Sequence, residues 1–234
     1  MRVGLIQSNY IPWRGYFDFI DDVDLFIFYD DVQYTKNDWR NRNVIKTSHG
    51  KKWLTIPVRK ESLSQLIKDI LIDYNQDWVS SHINRFTESY KTSPYFTDAL
   101  SYLEIITTEK YHSISELNRK LIQDISDYLK IKTPFEVSWI YSPKGSKTER
   151  ILDILQKVGA TTYVSGPNAD VYLDKEQFRE YNISLEYKSY CYNPYPQQWG
   201  DFIWDVTILD LIANCGQDSH QFLKSTEKNR VIIP

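Results

Sequence analysis

The chain has 234 residues, with 28 Lys and Arg against 31 Asp and Glu, a formal charge of −3 and two cysteines. That length buries about two thirds or more of the unfolded surface, which predicts one substantial core and excludes a fibre or a disordered chain. The balanced charge gives no general field for nucleic acid or anionic membrane, and Cys191 and Cys215 cannot build a disulfide scaffold.

Met1 and Arg2 lead into an apolar run that Gln7 interrupts, which is not a secretory signal. No stretch reaches about 18 apolar residues, so a soluble, cytoplasmic chain without membrane insertion is expected. Val3, Leu5 and Ile6 read as a buried strand ending at Gln7 and Ser8, and Leu25 to Tyr29 as a second ending at Asp30 and Asp31. Between them Pro12 restricts Ile11, Gly15 permits a turn, and Tyr16, Phe17, Phe19 and Ile20 begin a helical face. In an open α/β sheet the C-terminal strand ends are where ligands bind.

After Asp31 comes VQYTKNDWRNRN, which crowds two Arg, one Lys, one Asp, three Asn, one Gln and two aromatic rings into twelve residues. Such a mixture suits carboxylate, phosphate or sugar ligands, although a polar edge with internal pairs would also use it. Gln7, Asn9, Gln33, Arg40 and Arg42 are the candidate polar contacts, and Tyr10, Trp13 and Trp39 the candidate ring faces. Asp30 and Asp31 are the candidate general bases, because burial at a strand end moves a carboxylate toward a useful pKa. Trp53 to Val58 alternate as an interior or near-interior strand with Pro57 at its end or edge.

Residues 62 to 131 change to helical spacing. Ile114, Leu117, Leu121, Ile125 and Leu129 recur every three or four residues, with Ser113 and Glu116 placed as a capping box. This segment is expected to cover the sheet, or to stand partly apart as a helical insertion or lid. Phe135 to Trp139, a helix begun by Ser146 with Glu149 and ended by Gly159, and Thr161 to Val164 then form a βαβ pattern. Lys147 and Arg150 at that helix start are candidates for an anion, with plain capping as the alternative. Ser165, Gly166 and Asn168 follow the next strand and are expected to converge with the N-terminal loops. Tyr190, Tyr192, Tyr195 and Trp199 either wall a sugar site or anchor a long loop, and Asp205 or Asp210 is a base only if it faces the cleft. The fold class predicted is α/β, one domain over 1–234, with a partly parallel sheet, flanking helices and a mainly helical middle segment.

No P-loop, nucleophile elbow or dinucleotide fingerprint is present, and the four His are far apart in sequence, so no metal set is predicted. The motifs Q-x-N-Y-I-P-W-x-G-Y-F, D-D-V-Q-Y, W-R-N-R-N, W-L-T-I-P-V, T-T-Y-V-S-G-P and Y-L-D together resemble the WbqC-like family, over roughly Gln7 to Gly216. One departure is Ser8, where related proteins usually carry proline; it implies a looser loop or an extra hydroxyl at the site. The resemblance implies a place in the biosynthesis of bacterial surface polysaccharides, such as O-antigen, or of unusual sugars. It points to a transferase acting on a nucleotide-linked amino sugar, beside other pathway enzymes, or to a non-catalytic sugar-nucleotide-binding scaffold. It specifies no cofactor.

Overall fold

The computed structural model describes residues 1–234. In chain order it contains β1 (Arg2–Ile6), α1 (Arg14–Ile20), β2 (Leu25–Phe28), β3 (Arg42–Thr47), β4 (Gly50–Thr55), β5 (Val58–Arg59) and β6 (Leu71–Ile72). The helices α2 (Trp78–Tyr90), α3 (Phe96–Thr108) and α4 (Ile114–Tyr128) follow. The remainder is β7 (Phe135–Val137), α5 (Lys147–Lys157), β8 (Thr162–Ser165), α6 (Lys175–Glu180), β9 (Ser184–Tyr187), α7 (Ile208–Cys215) and β10 (Arg230–Ile233). The main sheet has the order β10-β9-β8-β1-β2-β7, parallel except for β10. It is thus a mostly parallel sheet with flanking helices and a helical middle segment.

Strand side chains alternate between faces, and both faces here are apolar. Val3, Leu5, Leu25, Ile27 and Tyr163 pack with Ile151, Leu155 and Phe178 of α5 and α6. Phe26, Phe28 and Val164 point the other way, into a larger core with Phe17, Phe19 and Ile20 of α1 and Leu117, Leu121 and Ile125 of α4. Helix α4 therefore buries its apolar stripe against the sheet, while α2 and α3 pack against each other and α3 against α7. Gly4 allows the closest approach in this layer, since a Cβ there would lie 2.3 Å from the Phe19 ring. No helix is long and apolar enough to cross a membrane.

The topology positions one crevice. β1 leads through α1 to its neighbour β2, whereas β8 leads through α6, on the opposite face, to β9. The adjacent strands β1 and β8 thus send their connections in opposite directions and to opposite faces. Such a reversal leaves a gap beyond their carboxyl ends, because neither loop closes over the other.

Several local expectations are corrected by tertiary contacts. Trp53 to Val58 do not enter the main sheet: β4 pairs only with β3 in a separate hairpin, and Trp53 stays exposed. Ile11 is not extended before Pro12 but takes φ +35°, an outlying conformation for a β-branched residue. It is held there by Thr207 Oγ1 and Asn43 Nδ2, which donate to its carbonyl at 2.7 and 2.8 Å. Gly15 lies inside α1 and serves close packing, since a Cβ would meet the Trp13 indole at 2.4 Å. Ser8 offers no hydroxyl to a site; it is fully buried, and Asn118 Nδ2 donates to its Oγ at 3.4 Å. Ser146 makes no side-chain cap to α5, whose first residue, Lys147, has φ +48°.

The α4 cap forms with a small shift. Ser113 Oγ accepts the Glu116 N–H at 3.2 Å, while the Glu116 carboxylate accepts from the His112 N–H at 2.7 Å. Ser113→Ala should therefore cost about 1 kcal/mol, read as a lower urea midpoint with unchanged slope; an unchanged midpoint would show that the cap does not contribute.

Candidate functional site

Two adjoining cavities open at the β1/β8 crevice and share Trp13, Asn168 and Trp204. The smaller, about 300 Å³, is also lined by Asn9, Pro12, Trp39, Asn43 and Asp205. The larger, about 710 Å³, adds Arg14, Gly166, Pro167, Tyr190, Cys191, Tyr192 and Phe202. The β1–α1 loop, the loop after β8 and the long segment before α7 therefore face one groove, with indole and phenol rings around a few amides. Trp13 is the hinge of this wall, with Tyr190, Tyr192 and Trp204 at ring-centre distances of 5.2, 5.8 and 5.6 Å.

Hydrogen bonds from behind hold each wall in place. Asn43 Nδ2 donates to the carbonyls of Tyr10 and Ile11, and the Pro12 carbonyl accepts from the Ile208 N–H at 2.8 Å. The segment from Tyr195 to Asp205 is gathered around buried Asp210, which accepts from Tyr90 Oη, Tyr195 Oη and Gln197 Nε2 at 2.7, 2.7 and 2.8 Å. Lys46 Nζ completes the hold by donating to Gln197 Oε1 at 2.9 Å and the Asp201 carbonyl at 2.5 Å. Tyr195 and Trp199 are thus loop anchors, the latter donating from Nε1 to the Ser89 carbonyl; Tyr190 and Tyr192 are wall.

Of the residues singled out from the sequence, Asn9, Trp13, Trp39, Gly166 and Asn168 line the groove. Arg40 stands behind it, with Nη1 donating to Asn9 Oδ1 at 3.1 Å and lying 3.6 Å from Asp38. Arg42 lies 4.2 Å over the Trp53 ring, which in turn is 5.5 Å from Trp39. The Gln7 carbonyl accepts from Tyr16 Oη at 3.0 Å.

Others are elsewhere. Tyr10 offers no ring face: it is wholly buried, with Oη 3.0 Å from His82 Nδ1. Asp30 is likewise 0% exposed, and it accepts from the Ser8 N–H at 2.7 Å and Ser115 Oγ at 2.5 Å. Burial raises its pKa, against the pull of those hydrogen bonds. It presents no surface to a ligand and ties the β1 and β2 ends to α4. Asp31 accepts from Arg150 Nη2 at 2.5 Å and from Ser138 Oγ; this pair bridges the β2 and β7 ends to α5, outside the lining of either cavity. Gln33 donates to the Leu63 carbonyl at the surface, Lys147 is exposed, and Ser165 is buried within the sheet.

Arg14, Trp204 and Asn43 also line the groove, and the sequence alone does not single them out. Nothing in their spacing marks them, because their neighbours come from segments up to about two hundred positions away. Asp205 does face the smaller cavity, and it is also paired with Lys51 Nζ at 2.7 Å. No group of three or more His, Cys, Asp or Glu side chains is arranged to hold a metal ion.

Comparison with known proteins agrees with the motif pattern. An uncharacterized protein of Mycobacterium tuberculosis, Rv1507c, is 45% identical over 226 residues, covering 95% of this chain and 97% of that protein. No solved structure matches the chain. The model of the WbqC-like protein family matches residues 7–222, which takes in α1 to α7 and every wall of the groove, and the chain belongs to that family.

Proposed function

We propose that this protein is a cytoplasmic enzyme of bacterial surface-polysaccharide or unusual-sugar precursor biosynthesis, a transferase acting on a nucleotide-linked amino sugar. The observation that carries this reading is the groove at the β1/β8 switch point, walled by Trp13, Trp204, Tyr190 and Tyr192 and dotted with Asn9, Asn43 and Asn168. Ring faces flanking a few amides suit a sugar, whose C–H face stacks while its hydroxyls exchange hydrogen bonds. The pathway follows from the family, whose members are commonly encoded among genes for surface polysaccharides.

Asp205 is the carboxylate in the cavity, oriented by Lys51, and we assign it the general base. It takes a proton from the sugar amine as the nitrogen attacks the carbonyl carbon of an activated acyl donor, whose leaving group departs with the bonding pair. Asp31 is the second candidate, for a substrate that extends beyond the two cavities and draws Arg150 away from it. Incubation with amino-sugar nucleotides and acyl donors should give a mass-shifted product, reduced roughly 10²- to 10⁴-fold by loss of the base. Asp205→Asn and Asp31→Asn tell the two carboxylates apart. A sugar nucleotide retained unchanged by wild type across the donor panel would sink the enzymatic reading and support the scaffold one, which the internal pairing of Asp30 and Asp31 favours.

A further inference from the structure

Arg14 is the one charged side chain lining the larger cavity, and it is 97% out of solvent contact. Its guanidinium carbon sits 4.6 Å from the Tyr192 ring centre, 5.2 Å from that of Tyr195 and 5.5 Å from that of Phe202. Nη1 donates to the Asn193 carbonyl at 2.8 Å and the Phe222 carbonyl at 3.2 Å, while Nε is buried with no partner. No carboxylate pairs with it. The carboxylate on its own helix, Asp18, is held through Oδ2 by Lys188 Nζ at 3.0 Å, Tyr192 Oη at 2.9 Å and the Ser225 N–H at 3.1 Å, and Lys224 Nζ lies 3.9 Å from its Oδ1.

A buried cation with no carboxylate in direct contact is costly even with Asp18 one turn away, and a fork of N–H groups at a cavity wall is the arrangement that receives a planar or tetrahedral oxyanion. The surrounding rings exclude water and strengthen such a contact. Apart from Arg14 the cavity wall is formed by aromatic rings, small residues and the Asn168 amide, with no carboxylate among them to repel an anion.

We propose that the larger cavity is an oxyanion subsite in which Arg14 receives a carboxylate or phosphate carried on a ring ligand stacked against Trp13 and Trp204. The subsite rests on the sugar-groove reading and adds a charge requirement to it. It assigns the groove an acidic sugar or a sugar phosphate in preference to a neutral sugar.

The test is titration of the full chain with glucuronate, glucose 1-phosphate and glucose, followed by tryptophan fluorescence and calorimetry. At least one anionic sugar should bind roughly 10- to 100-fold tighter than glucose, the effect of one charge-assisted hydrogen-bonded contact, with a preference that shrinks in salt. Arg14→Gln should bring the anionic and neutral sugars to equal affinity. Trp204→Ala should weaken both alike and keep the preference; if Arg14→Gln fails to fold by circular dichroism, Arg14→Lys, which keeps the charge and loses the fork, carries the test and should lose most of the preference. Which anionic sugar is preferred distinguishes a carboxylate from a phosphate source. Equal affinities in wild type, or a preference that survives Arg14→Gln, would overturn the subsite and leave the sugar groove standing. Binding of none of the three would overturn both.

Discussion

Asp210→Ala should destabilise the protein by about 3–5 kcal/mol, the range for removing one member of a buried charged network. Asp210 is fully buried and is the shared acceptor of Tyr90, Tyr195 and Gln197. Its removal leaves three donors without that partner and Lys46 beside an empty space. The loss also reaches the groove, because Gln197 and Lys46 hold the backbone from Asp201 to Ile203, next to Trp204 and Asp205. Urea unfolding measures the first effect and sugar affinity of the folded fraction the second. A loss below about 1 kcal/mol would mean that solvent replaces the carboxylate.

The same residue gives a pH dependence with a definite sign. Burial raises the pKa of Asp210, and that of Asp30, above the ordinary 3.8. A carboxyl with a raised folded pKa binds its proton more tightly in the folded chain than in the unfolded one. Between the ordinary and the raised value the folded state takes up protons first, so these two groups favour folding more as pH falls through that window. The stability gap between wild type and Asp210→Ala should therefore widen on acidification from neutral pH, because the variant has lost one of the two groups. A gap that narrows over the same titration would contradict the desolvation account.

Asn43→Ala should cost about 2–4 kcal/mol and weaken sugar binding as well. The Asn43 amide donates to the carbonyls of Tyr10 and Ile11, and its Oδ1 accepts from the Val44 N–H at 2.8 Å. These contacts hold Ile11 at positive φ, and so fix where Pro12 and Trp13 stand. Without them the turn relaxes toward the extended backbone that a residue before proline prefers, and Trp13 leaves its place between the two cavities. Thr207→Val removes a single bond to the same carbonyl and should cost about 1 kcal/mol. Calorimetric sugar titrations of both variants check the link to the groove; a destabilised Asn43→Ala with undiminished affinity would show that the turn does not position the site.

What the sequence determined by itself is the layer architecture. Val3 to Ile6, Leu25 to Phe28 and Thr162 to Val164 are short, apolar on both faces and followed by polar residues, which is what buried parallel strands require. Ile114 to Ile125 in α4 and Ile151 to Leu155 in α5 repeat at helical spacing, so which side of each helix is buried was legible from residues within one or two turns. These signals are local, and tertiary packing reinforces them.

The site is not local, and only the tertiary structure decided it. Tyr10 and Trp13 are both aromatic and three positions apart, yet Tyr10 is sealed against His82 of α2 while Trp13 meets Tyr190, Tyr192 and Trp204. Asp30 and Asp31 are chemically identical neighbours, but Asp30 points to Ser115 of α4 and Asp31 to Arg150 of α5, because successive side chains at a strand end face opposite layers. Nothing near Arg14 in the sequence marks it; the 190–222 segment folds over it and removes it from water. Whether a polar group is a base, a tie or an anion receptor depends on burial and on partners brought from elsewhere in the chain, and no spacing along the sequence encodes either.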